Sequence, residues 1–152
     1  MGRWDEGRGV LNQVPTEAQA NADAIAMQGR LLMSEARSLQ QSSDNPLAAR
    51  TKYTEAIQQF RKAQSEDTLG EQVTRKSEYL IGVCYKEMGD LRAALTKLTR
   101  VSKLYSDGDV GLAAMIDKAD VERQVGEYDQ AVTSYRNAVR RVDDPRTFRN
   151  PW

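Results

Sequence analysis

The chain has 152 residues, of which 22 are basic, 22 are acidic and none is histidine, and it has a single cysteine. This length suits one domain or one short repeat array, and the balanced charge disfavours binding to nucleic acid or to an acidic membrane surface. Without histidine the chain lacks the commonest general base and metal ligand, and one cysteine excludes an internal disulfide. We therefore expect no enzyme activity, no catalytic residues, no cofactor and no metal site.

The N-terminal segment, residues 1–15, contains three glycines and no sustained hydrophobic period, so we expect it to be flexible. It lacks the apolar stretch of a secretory signal peptide, and no run in the chain approaches the roughly 20 apolar residues of a membrane span. We expect a soluble protein. The pattern leaves its compartment open between the cytoplasm and, if a leader was removed, a bacterial envelope compartment.

The first predicted helix runs from about Glu17 to Gln41 and carries apolar and small residues alternately four and three positions apart. This heptad stripe allows another helix to approach closely because its side chains are small. Packing against the second helix of the same hairpin is one interpretation, and self-association is the other. The candidate residues for self-association are Ile25, Gly29, Leu32, Met33 and Ala36.

Turn and cap signals divide the rest of the chain into helices. Asn45 suits an N-cap before Pro46 at the first helical position, and Gly89 and Gly126 suit tight turns that need a residue without Cβ strain. Apolar residues recur at helical spacing on both sides of each glycine. The sequence thus predicts a helical repeat domain at residues 16–143, with hairpins at about 16–64, 68–105 and 109–143. A tail at residues 144–152 looks truncated from a longer protein.

One pattern of a small, a large and a small residue occurs once in each hairpin, and its copies start 38 and then 37 residues apart. The copies indicate an internal repeat. They are Ala56, Phe60 and Ala63; Ala94, Leu98 and Val101; and Ala131, Tyr135 and Ala138.

This pattern resembles the tetratricopeptide repeat, which has a small residue in its first helix, glycine at its turn and alanines around an aromatic in its second helix. The first hairpin fits weakly, since Thr51 stands at the turn-glycine position. The resemblance implies an all-α, right-handed α-solenoid of about six helices in three hairpins. The spacing is also similar to that of bacterial scaffold and assembly proteins. The residues that carry the resemblance are Gly82, Tyr85, Gly89, Leu91, Ala94, Leu98 and Val101 in the second hairpin and Ala119, Gly126, Tyr128, Ala131, Tyr135 and Ala138 in the third.

The resemblance implies a non-catalytic scaffold or adaptor that binds a peptide or helix of another protein on a concave face, lined by the first helix of each hairpin. A clamp for a C-terminal carboxylate is disfavoured, because Tyr79, Val83 and Asp117 stand where such clamps have lysine and asparagine. The alternative function is a structural subunit that forms a homo-oligomer through the long first helix. The predicted groove residues are Lys76, Tyr79, Val83, Lys86, Ala113, Ile116, Asp117, Asp120 and Arg123.

Two positions depart from the repeat pattern, because Lys118 and Glu122 stand where apolar and aromatic residues are usual. We therefore expect the first helix of the third hairpin to be rotated or partly exposed. Cys84 lies on an apolar helix face and is expected to be buried. We also expect one continuous core that includes Leu80, Ile81, Tyr85, Leu95, Leu98, Ala131 and Tyr135.

Overall fold

The computed structural model describes residues 17–42, 45–67 and 71–143, and these ranges contain helices but no strand. The predicted all-α fold is confirmed. No described helix has both the length and the apolar character needed to cross a membrane. The predicted N-terminal segment and C-terminal tail lie outside the described residues. In chain order the helices are α1 (Glu17–Gln41), α2 (Pro46–Glu66), α3 (Glu71–Glu87), α4 (Leu91–Leu104), α5 (Asp109–Gln124) and α6 (Tyr128–Asp143).

Local signals in the sequence fix the helix ends. The Asn45 side chain accepts a hydrogen bond from the Ala48 backbone N–H at 2.9 Å, which confirms the predicted N-cap of α2. Gly89 and Gly126 have φ angles of 76° and 87°, which only glycine adopts without strain. Both glycines end their helices in the same Schellman geometry, in which the glycine N–H and the following N–H bond back to carbonyls of the last turn.

The six helices form three antiparallel pairs that stack in sequence. Each first helix also packs on both helices of the preceding hairpin, since α3 contacts α1 and α2, and α5 contacts α3 and α4. The last helix, α6, contacts α5 alone among the described helices. This arrangement is a helical-hairpin repeat solenoid, in which each unit is stabilised by its neighbours.

The core is divided into layers between successive hairpins, which corrects the expectation of one continuous core. Ile81 packs with Tyr53 and Phe60 in the layer between the first two hairpins, whereas Leu98 packs in the layer between the last two. Leu80, Leu95 and Tyr85 are only partly buried, and Ala131 and Tyr135 belong to neither layer. Partly buried Tyr79 and Tyr85 contact both layers. The division follows from the repeat architecture, because each hairpin buries its faces only against its neighbours.

The stripe on α1 is covered by the chain's own helices. Ile25, Gly29, Met33 and Ala36 are buried, and Leu32 is partly buried. Gly29 lies against the Phe60 ring so closely that an added Cβ would be 2.7 Å from Phe60 Cε1. Apart from Met33, which also lines a cleft described below, these residues are covered mainly by the α1–α2 contact, so a second copy of α1 cannot pack along the stripe while the hairpin is closed. The structure thus favours packing within the hairpin over self-association as the role of this stripe.

Candidate functional site

The first helices of the three hairpins, α1, α3 and α5, enclose a cleft of about 500 Å³, which we call the first-helix groove. A smaller cleft of about 260 Å³ between α1 and α3 adjoins it and shares Arg30, Lys76 and Leu80 with it. All three hairpins therefore contribute to one recess. The groove is lined by Arg30, Met33, Ser34, Arg37, Lys76, Tyr79, Leu80, Asp109, Val110 and Ala113.

The groove combines apolar side chains with charged ones, of which Arg30, Arg37 and Lys76 are cationic and Asp109 is acidic. Met33, Leu80 and Val110 supply apolar surface, and Arg30 and Lys76 are exposed at its edge. Neither of these two cations has an ion pair with any residue in the described part of the chain, whereas Arg37 lies 3.8 Å from a Glu87 carboxylate oxygen. The groove thus offers an apolar surface beside two cationic groups that are free to pair with acidic groups of a ligand.

Next to the groove, polar side chains of α3, α5 and α6 form one network. The Tyr79 hydroxyl donates to Asp117 Oδ2 at 2.6 Å, and the Lys86 ammonium pairs with the other oxygen of Asp117. Lys86 Nζ also lies 3.7 Å from Asp120 Oδ2, and the Tyr135 hydroxyl donates to Asp120 Oδ1 at 2.5 Å. These bonds hold the second and third hairpins in a fixed relation, and they position the Tyr79 ring in the groove.

The protonation states in this network follow from burial and from the two aspartates. Burial raises the pKa of Tyr79, and the hydrogen bond and charge of Asp117 raise it further. Burial disfavours the charged form of Lys86, but the hydrogen bond and charge of Asp117, with Asp120 and Glu87, raise its pKa overall. At neutral pH, Tyr79 is therefore a neutral donor and Lys86 an ammonium, so the network stays intact.

A comparison with protein-family models matches residues 76–108 to the tetratricopeptide repeat. Residues 76–108 form a tetratricopeptide repeat. The matched segment contains most of α3, the glycine turn and all of α4, and the third hairpin repeats the same Schellman geometry. Comparisons with curated proteins and with solved structures gave no match. Tetratricopeptide repeats are typical of protein–protein interaction modules, which indicates an interaction role for this chain.

The predicted groove residues occupy four different environments in the repeat array. Lys76, Tyr79 and Ala113 line the first-helix groove, and Ile116 is exposed outside its lining. Val83 is buried in the layer with Cys84, which corrects its predicted place in the groove. The reason is that α3 contacts both helices of the first hairpin as well as α4 and α5, so little of its surface stays open. The polar network contains Lys86, Asp117 and Asp120, with Arg123 at its edge.

Sequence reasoning places the first helix of each hairpin on the concave face, but it names no residue of α1 among the predicted groove residues. Arg30, Ser34 and Arg37 line the groove together with Met33, which had been considered only for self-association. The sequence does indicate that Arg30 and Arg37 share one side of α1, because they are seven residues apart. Which residues of α3 and α5 they face depends on how the hairpins stack.

Lys118 and Glu122 form a buried ion pair, with 2.7 Å between Lys118 Nζ and Glu122 Oε1. These are the two residues that depart from the repeat pattern. Glu122 is buried, so this residue does not lie on an exposed part of α5. Lys118 also donates to Ser134 Oγ at 2.9 Å, whereas Glu122 Oε2 is buried with no hydrogen-bond partner among the described residues. Beside this pair lies a cleft of about 430 Å³ between α4, α5 and α6. The pair thus replaces apolar packing inside the last hairpin.

Proposed function

We propose that this protein is a non-catalytic scaffold or adaptor that binds a peptide or a helix of a partner protein in the first-helix groove. The observation that carries the proposal is a recess of about 500 Å³ to which all three hairpins contribute, with apolar side chains beside unpaired cations. Extended concave surfaces of repeat arrays commonly bind segments of other proteins. The matched tetratricopeptide repeat supports the same role.

The lining defines the chemistry of the bound segment. Met33, Leu80 and Val110 suit an apolar side chain, because such a group loses its contact with water when it enters the groove. Arg30 and Lys76 suit an acidic residue a short distance away from that apolar group. The segment is therefore a mixed one, with an apolar anchor and an acidic flank, rather than a uniformly acidic tail.

A groove-filling substitution tests the proposal. Peptides that bind the full chain are first selected from a displayed random library, and their dissociation constants are measured by fluorescence anisotropy. Ala113→Trp places a large ring in the groove and should weaken binding by about tenfold or more. The matched control is Ala93→Trp, which lies on α4 in a different cleft and should leave affinity unchanged. Equal weakening by both variants, or by neither, would contradict the proposed site.

A second pair of variants tests the electrostatic part of the proposal. Arg30→Glu combined with Lys76→Glu reverses the two unpaired cations of the groove, so peptides with acidic flanks should bind more weakly, and added salt should no longer weaken their binding because it screens the new repulsion. Arg100→Glu is the control, because Arg100 lies on α4 outside the groove and has no ion pair with the described residues. Selected peptides that lack acidic residues and bind the reversed variant normally would refute the charge argument while leaving the groove itself in place.

A further inference from the structure

The last helix leaves its outer face uncovered. In the first and second hairpins, the second helix packs under the first helix of the next hairpin, and the repeat-equivalent residues Phe60 and Leu98 are fully buried there. Nothing in the described part of the chain plays that role for α6, which contacts α5 alone. Tyr128 is consequently 66% exposed, whereas its equivalent in the first hairpin, Tyr53, is fully buried.

The uncovered residues form a regular apolar row, which we call the α6 stripe. Val132, Val139 and Val142 are 47%, 59% and 51% exposed, and Tyr135 is partly exposed between them. The spacing of four, three, four and three residues is the heptad seam by which two helices pack side by side. A contiguous exposed apolar row on a helix marks an interaction surface. The α6 stripe consists of Tyr128, Val132, Tyr135, Val139 and Val142.

The charges beside the stripe are self-complementary. Asp129 follows the first tyrosine of the stripe and Arg136 follows the second, so both occupy the same flanking position of the heptad, seven residues apart. Both side chains are exposed, and neither forms an ion pair within the described ranges. When two such helices run antiparallel, equivalent flanking positions face each other across the seam. Asp129 of one helix then lies opposite Arg136 of the other, and the reverse pair forms by symmetry.

The opposite charges at the two ends of α6 also favour an antiparallel pair. Asp129 lies in the first turn of α6, and Arg140 and Arg141 lie in its last turn. An antiparallel pair therefore brings the acidic start of each helix towards the basic end of the other, and it also opposes the two helix dipoles. A parallel pair would instead place like charges side by side.

We propose that the α6 stripe binds the α6 stripe of a second copy of this chain in an antiparallel, two-fold symmetric pair. In this pair Tyr128 packs opposite Val139 of the second copy, Val132 packs opposite Tyr135, and Asp129 pairs with Arg136 on both sides. Such a contact is isologous, so it closes at a dimer. It uses none of the residues that line the first-helix groove, and each copy keeps its groove available to a partner.

Analytical ultracentrifugation of the full chain tests the pair. The average mass should rise from 17.1 kDa towards twice that value as the concentration increases from low micromolar to several hundred micromolar. Asp129→Arg and Arg136→Asp should each weaken the dimer by about tenfold, because each converts two attractive pairs into repulsive ones. Val139→Asp should abolish the dimer, since it places a carboxylate in the seam. Arg100→Asp on α4 is the control and should leave the mass profile unchanged.

The decisive measurement is the average mass of an equimolar mixture of the Asp129→Arg and Arg136→Asp variants. In the antiparallel pair, each reversed residue then meets a residue of opposite charge, so the mixture should recover the parent association although each variant alone is weak. Circular dichroism of each variant establishes that α6 is folded. A parent chain that stays monomeric throughout this range, as it would if its own terminal residues covered the stripe, would overturn the proposal. A mixture that associates no better than its components would do the same.

Discussion

Replacing Lys118 with methionine should lower the free energy of unfolding by about 3 kcal/mol. The substitution keeps the apolar stem but removes the only group that bonds to the Glu122 carboxylate among the described residues. Because the Glu122 side chain is only 2% exposed, its carboxylate would be left in the interior with neither a counter-charge nor a hydrogen bond. Removal of one partner from a buried pair typically costs about 3–5 kcal/mol. The low end applies here, since the Lys118 side chain is 23% exposed and water can reach its end of the pair.

The double variant Lys118→Leu with Glu122→Tyr should recover the free energy of unfolding that Lys118→Met loses. It removes both charges together and supplies the apolar and aromatic residues that the repeat pattern usually has at these positions. Replacement of a whole buried pair by apolar groups is often neutral or stabilising by about 1–4 kcal/mol. The double variant should thus be at least as stable as the parent chain, and the two substitutions should be strongly non-additive.

Urea unfolding followed by far-ultraviolet circular dichroism measures these differences. Lys103→Met is the control, because Lys103 lines the same cleft but is exposed and should change stability by less than about 0.5 kcal/mol. If Lys118→Met costs no more than Lys103→Met, Glu122 is not buried as a charged group and the reasoning fails.

Three further predictions concern the core. Gly29→Ala should destabilise the chain by about 1–3 kcal/mol, because its Cβ would lie 2.7 Å from the fully buried Phe60 ring. Gly108→Ala is the control and should have little effect, since a Cβ there would have nothing within 4 Å. Equal urea midpoints for the two variants would contradict the close α1–α2 contact. Burial raises the pKa of Cys84 from 9.0 to about 12 and that of Tyr53 from 10.0 to about 12, so the folded state holds these protons longer than the unfolded state. The free energy of unfolding should therefore fall as the pH rises above 9. The Cys84 thiol should react with a disulfide reagent only when the chain unfolds. Immediate reaction of the folded chain at pH 8 would refute the burial of Cys84.

Features that depend on a few neighbouring residues could be predicted from the sequence. The helix start at Pro46 follows from the Asn45 cap, and the two glycine turns follow from the need for positive φ angles. The bounds of α1, Glu17–Gln41, agree with the apolar period and the loop residues that follow it.

The composition of the groove and of the core depends on how the hairpins stack, and the sequence of a single helix does not determine this stacking. Val83 shows this, because α3 is enclosed on several sides and a one-sided apolar pattern cannot separate its groove face from its core face. Glu122 is buried because Lys118, one turn earlier, neutralises it and bonds to Ser134 of the next helix. The arginines of α1 reach the groove only through the contact of α1 with α3.

Site-specific photo-crosslinking tests the central claim, that a partner segment binds in the first-helix groove, most directly. A photoreactive phenylalanine analogue is placed at Ala113 in the groove or at Ala93 on α4, and each chain is irradiated with a library-selected peptide. Mass spectrometry then identifies the cross-linked residues. The account predicts a peptide adduct from position 113 and none from position 93. An adduct from position 93 alone, with none from position 113, would show that the segment binds elsewhere and would contradict the account.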